Sequence, residues 1–381
     1  MTHILIAPDS FKESLSAAEV AVAIREGLSE ALPNATFTEL PLADGGEGTL
    51  EALVIAAGGR YETTDVTGPD GNTLRARFGL IHDDRTAVIE MAEASGLQRL
   101  PEARRNPMKT TSRGTGELIL AALDLGVEQV ILTLGGSATN DGGLGMAQAL
   151  GVKALDASGD PVAPGGQGLL DLASLNLHEL DTRVPATRFR VICDVNNPLT
   201  GPDGATYVFG PQKGATPEML VKLDQGMERY GVLLEQVVGR KLADRPGAGA
   251  AGGVGAAACG FLGGRLEPGI DVVMDAVGLR DQLRDADLVV TGEGRIDAQT
   301  ARGKTLAGLA REAAGANVPV IALAGSLGDD YTEALACGIT AIFGVTPAPM
   351  PLAEALERTS DSLRRAARNI GALYAVRPGV E

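Results

Sequence analysis

The chain has 381 residues, 44% apolar, 22% charged and 3% aromatic with no tryptophan. That is a globular composition whose core must be built from Ala, Leu, Val and Ile, at a length suggesting two domains. A formal net charge of −16 argues against general affinity for nucleic acid or an anionic membrane, since both call for a basic surface. Cys193, Cys259 and Cys337 form no CxxC pair, His3, His82 and His178 occupy no suggestive loop, and no signal core or run of roughly 18 apolar residues occurs. Zinc, thiol-redox and Ser-His-Asp chemistry are therefore poorly supported, and the default is a soluble cytoplasmic enzyme working through Asp, Glu or Lys.

In chain order, residues 3–7 (HILIA) predict a buried strand ending in Pro8-Asp9-Ser10. Ser16 and Glu19 spell a capping box, and Val20, Ile24 and Leu28 recur at helical spacing up to Pro33. A strand over 37–42 and a helix over about 47–57 complete a β-α-β-α opening, the pattern of a helix-covered parallel sheet. In the middle, strands are expected at 73–81, 87–91, 129–134 and 188–195. Helices are expected at 115–125 and from Thr216 onward, where Thr216-Pro217 makes a cap followed by proline in the first turn. Residues 247–258 read as a run of small residues. The last third returns to strands at 287–291, 319–324 and 341–345 and helices at 305–314, 331–337 and 352–374. Two early strands are too few for a buried parallel sheet; adding the three late ones gives five, a common doubly wound size, and the pattern permits the middle, roughly 66–285, to be an insertion without showing it.

Ligands of an open parallel sheet bind beyond the carboxyl ends of its strands, so the segments that follow each strand are the candidates. They are Asp9-Ser10-Phe11-Lys12, Asp44-Gly45-Gly46-Glu47, Glu293-Gly294-Arg295-Ile296-Asp297 and Gly325-Ser326. Most combine carboxylates with glycine or a cation, and their shared placement says more than any one of them. Two middle loops are similar. The Gly135–Gly143 run (GGSATNDGG) supplies flexible backbone donors and hydroxyls suited to phosphate, with Gly136, Ser137, Thr139, Asn140 and Asp141 as the candidates. Asp194 follows another strand, flanked by Asn196 and Asn197. Carboxylates for Mg²⁺, cations for a transferring phosphoryl group and a carboxylate to activate a hydroxyl are the components of a kinase.

Two further patterns are weighed against blander readings. Residues 298–305 (AQTARGKT) approach a P-loop with Ala for the first Gly, but a polar GEGRID separates them from the expected strand end at Thr291. Lys304 could still meet an anion at a helix start. Residues 247–252 (GAGAAG) spell G-x-G-x-x-G, yet Asp244-Arg245-Pro246 before them is no strand, so close packing of small residues is the simpler reading.

The stretches APDSFKESLSA, PLADGGEGT, AVIEMAEASGL, TTSRGTGELI, GGSATNDGGLGMAQALG, ICDVNNPLTGPDGA, FGPQKGA, GAGAAGGVG and VTGEGRIDAQTARGK resemble the type I glycerate kinases, over essentially the whole chain. The resemblance implies ATP-dependent, Mg²⁺-assisted phosphorylation of D-glycerate, usually at the 2-hydroxyl. It also implies an α/β architecture: a flavodoxin-like doubly wound parallel-sheet domain from residues 1–65 and 286–381, with an inserted α/β domain similar to the restriction-endonuclease fold over 66–285. On that chemistry, Lys12, Arg295 and Lys304 are expected to hold the glycerate carboxylate or the phosphates. Asp9, Ser10, Asp44, Gly45, Gly46 and Glu47 are expected around the substrate, and Glu293 and Asp297 at the metal. Gly136, Ser137, Thr139, Asn140 and Asp141 are expected at the nucleotide. Asp194 is expected to activate the hydroxyl, with Asp141 or Asp9 as alternatives. Rival readings are a P-loop kinase or NTPase using residues 298–305, and a non-catalytic small-molecule sensor.

Overall fold

The computed structural model describes residues 2–302 and 305–376. Its strands are β1 (His3–Ile6), β2 (Thr36–Glu39), β3 (Arg60–Thr67), β4 (Thr73–Ile81), β5 (Thr86–Glu90), β6 (Gln129–Thr133), β7 (Lys153–Leu155), β8 (Ser174–Asn176), β9 (Arg188–Ile192), β10 (Arg265–Glu267), β11 (Leu288–Ile296), β12 (Val320–Leu327) and β13 (Ala341–Gly344). The chain forms two compact units. One contains residues 1–44, 51–58 and 269–381, the other 45–50 and 59–268.

The first unit holds a five-stranded, wholly parallel sheet in the order β2-β1-β11-β12-β13. Ile4, Leu5 and Ile6 are fully buried and sit opposite Leu288, Val289 and Val290, the continuous apolar run of a strand covered on both faces. Helix Ala17–Ala31 starts with the expected capping box: the Glu19 amide donates to Ser16 Oγ at 3.3 Å, and the Ser16 amide donates to Glu19 Oε2 at 2.8 Å. Its buried face of Val20, Ile24 and Leu28 joins Ile4, Ile6, Val290 and Leu363 in one core, and it packs on helix Thr359–Ala375. Each such aliphatic side chain contributes roughly 1.5–3 kcal/mol when fully buried.

The second unit is built on a six-stranded mixed sheet, β3-β4-β5-β6-β9-β10. Its β3/β4 and β4/β5 pairs are antiparallel and the remaining pairs are parallel; β7 and β8 form a small antiparallel pair. The long helix Pro217–Val238 begins where Thr216 Oγ1 accepts from the Met219 amide at 3.3 Å, with Pro217 in the first turn.

Several sequence expectations change. The units do not divide at 65/66 and 285/286: β3 pairs along its length with β4 and so joins the second unit. Helix Gly269–Ala276 packs on helix Thr305–Gly315 and so joins the first. The strand expected to end at Thr291 runs on to Ile296, because β12 offers Ser326 and Leu327 as partners for Arg295 and Ile296. The small-residue run is helical within Ala250–Phe261, interrupted by a kink of positive-φ backbone at Ala251, Gly252 and Gly253. The last expected helix is broken at Arg358, and residues 331–337 form a 3₁₀ helix.

Candidate active site

At the carboxyl ends of β1, β11, β12 and β13, the first unit encloses a pocket of about 890 Å³. The Asp9 amide continues the β1–β11 pairing by donating to the Gly292 carbonyl at 2.9 Å. This brings the Asp9 carboxylate to the sheet edge, where its Oδ1 accepts from the Ser10 amide at 2.6 Å and the carboxylate from the Thr305 hydroxyl. Burial outweighs these donors and raises the Asp9 carboxyl above its usual range; the negative Asp44 adds to the rise and Lys12 opposes it.

Glu293 stands on the extension of β11. Thr300 Oγ1 donates to its Oε1 at 2.5 Å. Burial first, then the negative charges of Asp9 and Asp297, push the Glu293 carboxyl up to about 7. Arg295, two residues on, is exposed and pairs with Asp297 Oδ2 at 2.9 Å, while Asp297 Oδ1 accepts from the Gln299 amide at 2.8 Å. Asp297 therefore sits below the usual carboxylate range and starts the short helix Ala298–Arg302. Lys12 and Ser10 complete the polar wall. The structure thus gathers Asp9, Ser10, Lys12, Asp44, Glu293, Arg295 and Asp297 around one cavity. Lys304 lies outside the described residues.

The apolar part of the lining carries no signal noticed in the sequence. It is formed by Val345, Pro349, Met350, Leu352 and Leu356. Val345 is anchored by its amide to the Ala324 carbonyl at 2.8 Å, and Thr346 Oγ1 donates to the Gly325 carbonyl at 2.7 Å. Ser14 Oγ reaches the Leu356 carbonyl and Thr359 Oγ1, each at 2.8 Å, tying the segment after β1 to this wall.

The other candidates belong to the second unit. Gly45 is buried and Glu47 exposed, and Thr49 Oγ1 donates to the Gly46 carbonyl at 2.7 Å. The following Leu50 amide donates to Glu90 Oε1 at 2.9 Å, on a carboxyl that burial raises above its normal range. A Cβ placed on Gly135 would come within 3.6 Å of Gly46 Cα, so these two glycine loops lie side by side.

In the GGSATNDGG run the expected nucleotide residues differ in placement. Gly136 is exposed, whereas Thr139, Asn140 and Asp141 are fully buried. Asn140 Nδ2 donates to Thr206 Oγ1 at 3.0 Å. Asp141 Oδ2 accepts from the Ser112 amide and hydroxyl at 2.8 and 2.9 Å, and Oδ1 from the Gly143 amide at 3.1 Å. Asn140 Nδ2 and the Asp141 carboxylate thus hold the loop from inside. Ser137 Oγ is engaged by the buried Lys213 ammonium at 2.8 Å. Asp194 stands half-buried just after β9, in this unit.

A parallel-sheet pocket that sets carboxylates against a lysine and an arginine defines an anion-handling α/β protein with the side-chain chemistry of Mg-nucleotide phosphotransferases. Comparison with known proteins gives the particular case. The sequence model of the glycerate kinase family matches residues 4–375. The chain is 52% identical to the glycerate kinase of Bacillus subtilis over 369 residues, 97% of each chain. It is 48% identical to the glycerate 2-kinase of Escherichia coli, over 98% of each. A crystal structure of a putative glycerate kinase 2 from Salmonella typhimurium superposes with a TM-score of 0.91 at 52% identity, over 98% of both chains. The chain belongs to the glycerate kinase family. The P-loop reading is not favoured: residues Ala298–Arg302 form a helical turn, not an open phosphate loop.

Proposed function

We propose that the chain transfers the terminal phosphoryl group of ATP to D-glycerate, forming 2-phosphoglycerate. The observation that carries this reading is the polar lining of the first-unit pocket, to which Asp9, Glu293, Lys12 and Arg295 all contribute, in a chain whose relatives are named as glycerate kinases. The cations suit the carboxylate of a small hydroxy acid or the phosphates of the nucleotide. Arginine can grip either through two parallel hydrogen bonds, and Arg295 is exposed enough to trade or share its Asp297 contact.

The donor set fits Mg²⁺. Among the described residues no three Asp, Glu, His or Cys side chains cluster as a complete cage, and Mg²⁺ normally takes one or two carboxylates together with substrate phosphates and water. Asp9 and Glu293 supply such a pair, both with raised proton affinity, which a cation would reverse. Bound there, Mg²⁺ would neutralise charge on the transferring phosphoryl group. Asp297, already engaged by Arg295 and Gln299, serves better to orient Arg295 than to ligate metal.

In this reading Ser10 and Asp44, in the first unit, orient the glycerate hydroxyls. Within the second unit, Gly45, Gly46 and Glu47 are the proposed substrate-loop residues and Asp194 the proposed general base. The order β2-β1-β11-β12-β13 corresponds to the 2-1-3-4-5 order of flavodoxin-like sheets, which supports that description of the first unit. A restriction-endonuclease-like second unit rests on the family resemblance. Three free cysteines fit a reducing, cytoplasmic setting. Among the described residues no helix is long and apolar enough to cross a membrane.

The test is ADP release from ATP and Mg²⁺ with D-glycerate, followed by added enolase without a mutase. ADP with phosphoenolpyruvate establishes the 2-kinase. ADP alone moves the product to 3-phosphoglycerate. No glycerate-dependent ADP from folded protein overturns the proposal.

A further inference from the structure

The pocket of the first unit is much larger than a three-carbon acid needs. Its volume of about 890 Å³ lies near the top of the range that holds drug-sized ligands, roughly 300–1,000 Å³. It is also divided by chemistry. Asp9, Lys12, Asp44, Glu293 and Arg295, which follow β1 and β2 or lie on β11, give a polar part of the lining, and Val345, Pro349, Met350, Leu352 and Leu356, which follow β13, an apolar part. Glycerate is a carboxylate and two hydroxyls on a three-carbon chain, so its recognition must be polar throughout. It has nothing with which to cover the side chains of Pro349, Met350, Leu352 and Leu356.

We propose that the apolar side of this pocket is the nucleoside subsite: the adenine and ribose of ATP lie against Met350, Leu352 and Leu356, with the phosphates directed to the polar side. This rests on the reading of the chain as an ATP-dependent glycerate kinase and names where that nucleotide sits.

Three features of the wall support a heteroaromatic occupant. Leu352 is 70% exposed although it lines a concave site, so an apolar ligand gains by covering it. Met350 is flexible and polarisable, which suits contact with a flat ring. The wall is also held in place. Val345 and Thr346 are fixed to β12 through the Ala324 and Gly325 carbonyls, and Arg365 donates to the Val345 carbonyl at 2.6 Å. Placement agrees as well. The phosphates would lie beside β1 and β11, where strand order reverses, and such switch points are where doubly wound sheets bind nucleotides.

The test uses Leu352→Asn and the double variant Leu352→Asn/Met350→Asn. These neutral changes leave the charges of the polar side alone, and the exposure of Leu352 makes the single variant safe for folding, as a thermal melt checks. ADP and pyrophosphate are titrated calorimetrically into the wild-type protein and each variant in the presence of Mg²⁺ and the absence of glycerate. The expected result is ADP binding weakened about fivefold in the single variant and more in the double, with pyrophosphate affinity unchanged. In turnover, KM for ATP should rise by a similar factor and KM for glycerate stay within about twofold. Unchanged ADP affinity in both variants overturns the proposal, as does a rise confined to KM for glycerate. Because the titration needs no turnover, a protein that binds ADP through this wall yet fails to phosphorylate glycerate would retain the subsite while the substrate assignment falls.

Discussion

The Lys213 ammonium donates a 2.8 Å hydrogen bond to Ser137 Oγ, 76 residues away in sequence, and a 2.7 Å bond to the Thr139 carbonyl. Both ends are buried, so this pair fixes the course of the GGSATNDGG loop from behind. Burial pulls the Lys213 amine down to about 7, an effect only partly offset by the charge of Asp141. The unfolded chain, with an ordinary lysine near 10.5, binds more protons than the folded one between those values. This group's contribution to stability is therefore complete above 10.5 and is lost as pH falls through 7. Lys213→Met should flatten the rise of the thermal midpoint above neutral pH. Ser137→Ala leaves the buried ammonium short of an acceptor and should destabilise by about 1–3 kcal/mol. A pH–stability curve for Lys213→Met that overlays the wild type would show that the lysine does not titrate as described.

Glu293, raised to about 7 from 4.5, makes the opposite contribution. Its protonated form is favoured by folding, so its stabilisation is complete below 4.5 and is lost as pH rises through 7. A cation needs the ionised form. Mg²⁺ binding to the nucleotide-free protein should then tighten as pH rises from about 6 to 8 and release part of a proton per ion. Glu293→Gln should weaken Mg²⁺ and remove that pH dependence together. Thr300→Val, which deletes the 2.5 Å donor, should move the midpoint of the dependence upward. Calorimetric titration in buffers of different ionisation enthalpy measures both, and a pH-independent wild-type affinity would remove Glu293 from the metal site.

Elements with a local cause were legible in the sequence. The Ser16–Glu19 box and Thr216-Pro217 cap carry their hydrogen-bonding logic within four residues, and both helices start there. Loops after strands gathered where parallel-sheet geometry puts them. What failed to show was set by partners distant in sequence. Glu293 and Arg295 read as loop because GEGR is polar, but β12 supplies the register that makes them strand. The inward turn of Asn140 and Asp141 was not legible because a sequence shows which groups can donate or accept and not which way they face; Thr206 and Ser112 engage them from inside the unit. The Val345–Leu356 wall had no local signature, since an exposed leucine is ordinary until a cavity is found beside it.

Asp194 is the proposed proton acceptor, half-buried at the end of β9. Asp194→Asn keeps the shape and removes the basicity. If the assignment holds, kcat should fall by about 10²–10⁴ with KM for glycerate and ATP little changed. Near-normal turnover in the folded variant would pass the role to another carboxylate, for which Asp9→Asn is the next comparison.

Gly252 tests the packing of the second unit. Its φ is 69°, and a Cβ there would lie 2.1 Å from the Thr139 carbonyl oxygen and 2.7 Å from Asn140 Cα. Both obstacles are backbone of the GGSATNDGG run and cannot swing aside. Gly239, at the end of helix Pro217–Val238, has φ 70° but open space around its Cβ position, so it isolates the cost of the left-handed backbone. Gly239→Ala should cost about 1–2 kcal/mol. Gly252→Ala carries that cost and the overlap besides, and should destabilise by about 3 kcal/mol or more, lowering the thermal midpoint well beyond the Gly239 control and reducing activity through the displaced loop. Equal melting of the two variants would mean that the Gly252–Thr139 approach is relaxed in solution.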